Sequence, residues 1–493
     1  MDLRKIFSLS LTISLAACSD AGQQAPVDGS ERRDGMSADA SLLDGNNELA
    51  ISLALPEPQI FVARGMSTSV VVDITHANTT RSIALSVLGL PTGVTVPSIV
   101  VAPDATQATL VFSAAANAPL SATPVLISLD ARAVGASAGN QLAADLIVRG
   151  RAGDLDVTFN NSGRRSIDVS GMGAREVVAV LPSREFFLLL DQHLVRFNSV
   201  GGNDATLGAI PSGFGTTLIA APPANVIVAV DNVASMYART GALVTGYGSN
   251  GSAQLPYTSG MFRFANSKLY LTGENNPHLG SFAELSATGI PRAITGSNLF
   301  PTYSYHDYRV ASDGRITVCA TSDTNIAIAR ITANGSKDAG FGSNGQVLLA
   351  NQLNPTSSFN VCRLGLQADG SGYAVVTFIA GNTSKVMLLK FSAQGVLASE
   401  RPVIAALHPE SIATHIEMQR NGAILVAGTD AGSPFLARFL PTLAPDTNFG
   451  NNGRVALSHA PNDLHVFDEG RAMSTTFEFS GEGSFVHVER VWL

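Results

Sequence analysis

An aromatic residue followed at once by Gly or Asn, with a second Gly four positions after the ring, occurs four times along the chain. The copies are Asp156-Val-Thr-Phe159-Asn160-Asn-Ser-Gly163, Val244-Thr-Gly-Tyr247-Gly248-Ser-Asn-Gly251, Asp338-Ala-Gly-Phe341-Gly342-Ser-Asn-Gly345 and Asp446-Thr-Asn-Phe449-Gly450-Asn-Asn-Gly453. Gly and Asn are the residues that best tolerate a left-handed backbone. Strand-like runs follow, as in Arg164 to Val169, Gln346 to Leu349 and Arg454 to Leu457. The unit reads as a tight turn pinned by one buried ring and feeding a strand. Its rings lie 88, 94 and 108 residues apart, too far for one supersecondary unit and right for two of 44 to 54 residues.

Degenerate copies sit halfway. The strand Ala327 to Ile331 ahead of the third turn has counterparts at Leu194 to Phe197, Phe282 to Leu285, Leu388 to Phe391, Leu436 to Phe439 and Val488 to Val491. Arg196, Arg330, Lys390, Arg438 and Arg490 recur at one register of that strand, which marks them as structural. Upstream, Asp313-Gly314, Asp369-Gly370 and Asn421-Gly422 each suit a two-residue hairpin turn between apolar runs. Four antiparallel strands per ~45 residues describe a β-propeller blade. Blades are expected to begin near 174, 216, 261, 306, 360, 413 and 464, seven in all. The last lacks a fourth strand, which the run Arg164 to Val169 is placed to supply, so that the two ends of the ring pair and no edge stays open.

Composition agrees with an all-β chain. Hydrophobic residues make up 45% and charged ones 14%, with 46 Gly and 23 Pro, and no extended 3.6-residue apolar stripe is present. The net charge of −8 and the absence of a basic run exclude a nucleic-acid partner. Arg4 and Lys5 followed by the short apolar stretch Ile6 to Ala17 read as an export signal, too short to span a bilayer. It ends in Leu15-Ala16-Ala17-Cys18, which resembles the lipobox of bacterial lipoproteins. That resemblance implies lipidation of Cys18 and membrane anchoring by acyl chains. Asp after the lipidated Cys tends to retain such proteins in the inner membrane; Ser19 stands there, so the resemblance leans towards the outer membrane. Residues 18–49, acidic and free of aromatics, are expected to be a disordered tether.

Between about 50 and 150, short alternating runs such as Val70, Val72, Ile74 and Val125, Ile127, Leu129 give roughly seven strands in 100 residues, as expected for an immunoglobulin-like sandwich. The run Leu85 to Val96 resembles a segment of bacterial Ig-like modules, without their antibody-type Cys pair or Trp. From 151 to 493 the chain resembles the delta-60 repeats of bacterial surface and secreted proteins, with units like D-x-x-F-G-x-x-G followed by a strand and a D-G hairpin. Phe159-Asn160 and Val244 depart from that pattern. The resemblance implies a propeller and brings no established activity.

Candidate chemistry is sparse. Gly246 to Gly251 and Gly340 to Gly345 satisfy G-x-G-x-x-G literally, but a strand follows where a dinucleotide site needs a helix. His306 and Asp307, adjacent on a strand, point to opposite faces. His415 with Glu417, and His487 with Glu489, share a face and read as exposed polar surface rather than as a metal or acid–base pair. Asp156 reads as a turn cap rather than, with Asp154, a cation ligand. No metal-binding, hydrolase or calcium-loop motif is found, so no cofactor and no metal are expected. Cys319 and Cys362 fall on different strands of neighbouring repeats; bridging needs Cα atoms within roughly 7 Å, and buried free thiols are the expected state. Near the ring axis, on first strands, Tyr308, Arg363, Glu417 and His465 are the pocket candidates. The functional expectation is a monomeric, membrane-anchored binding or scaffolding protein with a protein or glycan ligand. The alternatives are a structural envelope component, or a hydrolase or lyase with carboxylates at the propeller mouth.

Overall fold

In the computed structural model every regular element among the described residues is a strand. These are residues 51–76, 80–137, 139–169, 178–190, 193–210, 216–257, 260–273, 281–294, 304–321, 326–348, 358–380, 383–398, 412–480 and 483–493, all within the compact unit Ala38–Leu493. Cys18, the export signal and the tether lie outside them. No helix among the described residues is long and apolar enough to cross a membrane.

Residues 51–149 form two sheets facing each other. One orders its strands Ile51–Ala54, Ser67–His76, Gln107–Ala114, Val94–Thr95; the other orders Gln59–Ala63, Asn140–Arg149, Val125–Ala133, Ile83–Leu88, Ile99–Val101. Gln59–Ala63 runs parallel to Asn140–Arg149, and the remaining pairs are antiparallel. The period-two residues Val72, Ile74, Leu110, Phe112, Ile127 and Leu129 meet in one core between the sheets.

Seven further sheets follow. Sheet 1 comprises Val178–Val180, Phe186–Leu190, His193–Phe197 and Asn203–Ala209; sheet 2, Thr217–Ala221, Asn225–Val230, Val233–Ala238 and Ser252–Gln254. Sheet 3 has Phe262–Ala265, Lys268–Gly273, Ser281–Leu285 and Pro291–Ala293; sheet 4, Ser304–Val310, Ile316–Thr321, Ile326–Ile331 and Gln346–Leu348. Sheet 5 shows Ser358–Leu366, Gly372–Ala380 and Thr383–Phe391; sheet 6, Ile412–Met418, Ile424–Asp430, Ser433–Phe439 and Arg454–Ala456. Sheet 7 is made by Asp463–Phe467, Arg471–Ser480 and Gly483–Trp492, with Arg164–Asp168 added antiparallel to Gly483–Trp492 in the register Arg164↔Glu489 to Asp168↔Phe485.

Seven hydrophobic clusters join these sheets, each spanning two neighbours: sheets 1 and 2, 2 and 3, 3 and 4, 4 and 5, 5 and 6, 6 and 7. The seventh, with Phe159, Phe186, Phe197, Met473, Val486 and Val488, packs sheet 7 back on sheet 1. Neighbouring sheets thus close into a propeller ring. No single sheet could bury both its faces alone.

The recurring turn explains how neighbours are locked. It lies between the third and fourth strands of a sheet, and its ring is fully buried at Phe159, Tyr247, Phe341 and Phe449. The residue after the ring takes φ +48 at Asn160 and +53 to +58 at Gly248, Gly342 and Gly450, and its N–H donates to the adjoining unit: Asn160 to Val200, Gly248 to Thr288, Gly342 to Gln394, Gly450 to Ala152. A Cβ on Gly342 would collide with the Gln346 carbonyl. Three of the four copies add an aspartate that works in two directions. Asp338 caps its turn by accepting from Gly340 N–H at 3.1 Å and pairs with Arg330 at 2.7 Å, while that guanidinium lies 4.4 Å from the Phe341 ring. Asp446, Arg438 and Phe449 repeat this, as do Asp156, Arg490 and Phe159. Arg330, Arg438 and Arg490 are structural for this reason, while Arg196 at the same register pairs with Asp204 and Lys390 donates to the Pro441 carbonyl.

One expectation fails here. Cys319 and Cys362 are joined in a disulfide, with Cα atoms 6.0 Å apart. Cys319 is on the second strand of sheet 4 and Cys362 on the first strand of sheet 5; both belong to the core between those sheets. In a ring the first strand of one sheet packs against the second strand of its predecessor, so sequence-distant core positions there reach bridging distance.

Candidate functional site

The first strands of the ring sheets neighbour one another around the axis, and those of sheets 3 to 7 send ionisable side chains into the space they enclose. Arg263 of sheet 3 donates to Asp307 Oδ1 of sheet 4 at 2.8 Å. Arg309 of sheet 4 lies 3.7 Å from Asp307 Oδ2 and reaches past sheet 5 to Glu417 of sheet 6, at 2.9 Å. Arg363 of sheet 5 donates to the carbonyls of Thr414 and His306, at 3.0 and 2.6 Å, tying the strands on either side of it. Asp463 and His465 of sheet 7 stand 3.1 Å apart. Only a common axis brings side chains from sheets 3, 4, 6 and 7 within mutual range. The first strands of sheets 1 and 2, Val178–Val180 and Thr217–Ala221, carry no ionisable residue. Among the described residues, the charge of these first strands lies on the side of sheets 3 to 7.

Solvent reaches these groups although protein surrounds them: the side chains of Arg263, Glu417, Asp463 and His465 keep 38%, 30%, 47% and 26% of their accessible surface. The enclosure shows in the titrations. Burial would raise the Asp307 carboxyl, but the Arg309 and Arg263 guanidiniums outweigh it and hold it below the usual carboxylate range. Asp463 is likewise held down by His465 and His415 against its burial. His465 moves up, because Asp463 overcomes the burial that alone would lower it. His415 is pushed down to about 4 by burial, which the more distant Asp463 only partly offsets. The enclosure therefore favours the charged forms of Asp307 and Asp463, keeps His415 neutral at neutral pH and biases His465 towards its cation.

Arg363, Glu417 and His465 come together here as the sequence placed them near the axis. Tyr308 does not. It is fully buried between sheets 3 and 4, its hydroxyl donating to the Tyr270 carbonyl at 2.9 Å and its ring edge-on to Phe282 at 5.4 Å. The reason is register: the irregularity between Tyr305 and Asp307 has equivalents between Phe359 and Val361 and between Ala413 and His415, which align the three first strands. Counted from that irregularity, the partner of Arg363 and Glu417 on sheet 4 is Arg309, while Tyr308 matches the core residues Cys362 and Ile416. A one-residue slip moves a strand residue to the other face. The sequence reading missed Arg263, Asp307, Arg309 and Asp463; polar residues alternating on a first strand were the available signal. Its reading of His415 as exposed polar surface also fails, since burial beside the axial groups is what lowers His415.

Elsewhere, His487 pairs with Glu478 at 3.0 Å, while Glu489 turns to Arg164 at 3.0 Å and to Ser458 N–H at 2.8 Å. Gly246 and Gly248 border an open hollow of about 550 Å³ with Ser252 and Pro291. A strand, Ser252–Gln254, follows them, so no helix terminus faces that space.

A family model described as a domain of unknown function (DUF5122) beta-propeller matches residues 311–341, the stretch from the hairpin of sheet 4 to Phe341. No curated protein matches the chain. Among solved structures it is similar to the polysaccharide lyase Uly1, at 11% identity over 65% of this chain and 90% of that one, with a TM-score of 0.44. It is also similar to a chain of the Mitotic Checkpoint Complex (10%, 67% and 94%, TM-score 0.42) and to prolyl oligopeptidase B from Galerina marginata (8%, 66% and 48%, TM-score 0.40). The architecture rests on the sheet order and cores above, and these distant similarities assign no activity.

Proposed function

We propose that this protein is a membrane-anchored binding and scaffolding module of the cell envelope, whose ring receives a polar group of a protein or glycan ligand at its axis. The observation that carries the reading is the convergence of Arg263, Asp307, Arg309, Arg363, Glu417, Asp463 and His465 in a solvent-reached channel. Asp307 is buried and anchors Arg263 and Arg309 from behind, whereas Arg263, Glu417, Asp463 and His465 keep contact with solvent in a concave site built on rigid strands, where donors and acceptors of both signs fit a neutral or zwitterionic polar group better than a polyanion. The anchor is read from Cys18 and its flanking residues, with the outer membrane preferred over the inner.

The test uses the full lipidated chain. Crosslinking on intact cells followed by pull-down is expected to enrich a partner or glycan with the native chain and to lose it with Arg309→Ala/Glu417→Gln. No enrichment over an unrelated lipidated domain overturns the binding reading and leaves the structural one, in which deletion changes envelope integrity without loss of a ligand. Radiolabelled palmitate is expected to enter the native chain and not Cys18→Ser; equal labelling removes the anchor.

A second reading, hydrolysis or elimination at the axis, draws on the Asp463–His465 pair beside Glu417, an acid and base arrangement. A panel of glycan and peptide substrates that shows no turnover, or turnover unchanged in His465→Gln, removes it.

A further inference from the structure

On the opposite face of sheet 7 from its contact with sheet 1, three side chains converge that neither the repeat nor the axis requires. His487 is on the third strand of that sheet and Glu478 on the second; His459 is on the connection between Arg454–Ala456 of sheet 6 and Asp463–Phe467 of sheet 7. One ligand atom from each lies within 4.8 Å of the others. Glu478 Oε2 is 3.0 Å from His487 Nε2 and 3.5 Å from His459 Nε2. Two donors held at 2.0–2.1 Å by one tetrahedral ion stand about 3.3 Å apart, so both spacings suit a shared ion.

Three further observations favour a metal over a plain ion pair. Nε2 of His487 is buried and makes no hydrogen bond, although the carboxylate oxygen is near it; that oxygen lies off the line along which an N–H would donate. The other nitrogen, Nδ1, is held by Ser166 Oγ at 2.8 Å, the kind of outer contact that fixes the tautomer of a ligating histidine and aims its free nitrogen. The His459 and His487 rings stack with centroids 3.6 Å apart and planes within 5°; two imidazolium cations would repel there, and coordination by a small turn of either ring relieves the contact. Glu478 is 46% exposed and His459 34%, which leaves an open side for entry and for water ligands.

The geometry points to a binding site for a divalent transition metal of the zinc class, held by His459, Glu478 and His487 with water completing the shell. Two imidazoles and one carboxylate suit borderline ions and not calcium or magnesium, which prefer oxygen. Because Ser166 belongs to the strand that closes the ring, and His459 to the segment entering sheet 7, the ion would fasten that closure.

The full chain, prepared without a histidine tag, is titrated with Zn²⁺ by calorimetry and with Co²⁺ by visible absorption. One ion per chain is expected, with a tetrahedral or five-coordinate Co²⁺ spectrum and a rise in melting temperature on Zn²⁺. His459→Ala and Glu478→Gln, both at partly exposed positions, are expected to weaken binding at least tenfold; Ser166→Ala, acting through His487, less; His76→Ala on the sandwich, not at all. Substoichiometric binding by the native chain, or binding unchanged in a folded His459→Ala/Glu478→Gln double variant, overturns the site.

Discussion

Asp156 sits between two fully buried arginines, and replacing it by Asn tests how the ring and the sandwich are joined. Its Oδ2 accepts from Arg471 Nε at 2.8 Å and from Arg490 Nε at 2.7 Å, and all three side chains are fully buried. Its Oδ1 accepts from Thr158 N–H and Oγ–H. Arg471 continues to Glu469 and to the Ser121 carbonyl of the sandwich, and its guanidinium lies 4.1 Å from the Trp492 ring. Asp156→Asn keeps the cap and removes the charge, leaving the buried Arg490 without its carboxylate and Arg471 with Glu469 alone. Breaking a buried pair costs about 3–5 kcal/mol. The equivalent changes are made at carboxylates that are 14% or 12% exposed: Asp446→Asn releases Arg438, and Asp338→Asn releases Arg330 and a longer, more exposed contact with Arg315 at 3.5 Å, for which a charged hydrogen bond of about 1.5–3 kcal/mol is the measure. Trp492 is the single tryptophan of the chain and sits against this triad, so its fluorescence during urea unfolding reports the junction directly. The expected order of loss is Asp156→Asn above both others. A loss under about 1 kcal/mol, or one smaller than that of Asp338→Asn, would refute the view that this triad is the joint's main electrostatic support.

Three more outcomes follow from the geometry. The Cys319–Cys362 bridge spans 43 residues, for which chain entropy predicts about 4 kcal/mol of stabilisation; non-reducing peptide mapping should recover the linked pair, and Cys319→Ser/Cys362→Ser should lower the denaturant midpoint correspondingly. His415, depressed to about 4, stays neutral in the fold while the unfolded chain binds a proton near 6.5, so it withdraws stability as pH falls from about 6.5 to 4; His465, raised, adds stability below 6.5 that is lost as pH rises through its folded value. Melting curves from pH 8 to 4.5 should show His415→Gln flattening the acid loss and His465→Gln deepening it; the opposite pattern would reverse the assignment. A Cβ on Gly150 would stand 2.6 Å from Trp492 Cδ1, so Gly150→Ala should cost about 1–3 kcal/mol through overpacking, read in the same urea experiment.

The ring was legible in the sequence because its signals are local. The hairpins at Gly314, Gly370 and Gly422 and the ring-plus-left-handed pair at Phe341-Gly342 need only a few residues to act, and each Gly takes a positive φ. The hairpins are nevertheless three-residue loops, closed by Ala311 N–H donating to Arg315, Gln367 N–H to Ser371 and Gln419 N–H to Ala423, and not the two-residue turns expected, because Asp313, Asp369 and Asn421 keep negative φ and only the Gly is left-handed. Arg164–Asp168 was placed as the closing strand because it lacked a sheet of its own. What failed depended on neighbours brought together by the closed ring. Arg309, and not Tyr308, shares the register of Arg363 and Glu417, an alignment of three strands from different sheets that no single residue announces. The disulfide requires knowing that Cys319 and Cys362 face one another across two sheets. The Arg471–Asp156–Arg490 triad joins residues more than 300 positions apart. His487 was read with Glu489, two along its strand, when its partner Glu478 comes from the strand beside it.

The closing pair also orders the assembly. Arg164 meets Glu489 across 325 residues of chain, so the strand Arg164–Asp168 has no place to go until the last strand of the ring is present. Sheets 1 to 6 are sequence-local and are free to assemble first, while Arg164–Asp168 waits with its backbone groups unpaired. An unpaired strand is an invitation to the wrong partner, and charges along such an edge, here two arginines and an aspartate in five residues, are a means of refusing it.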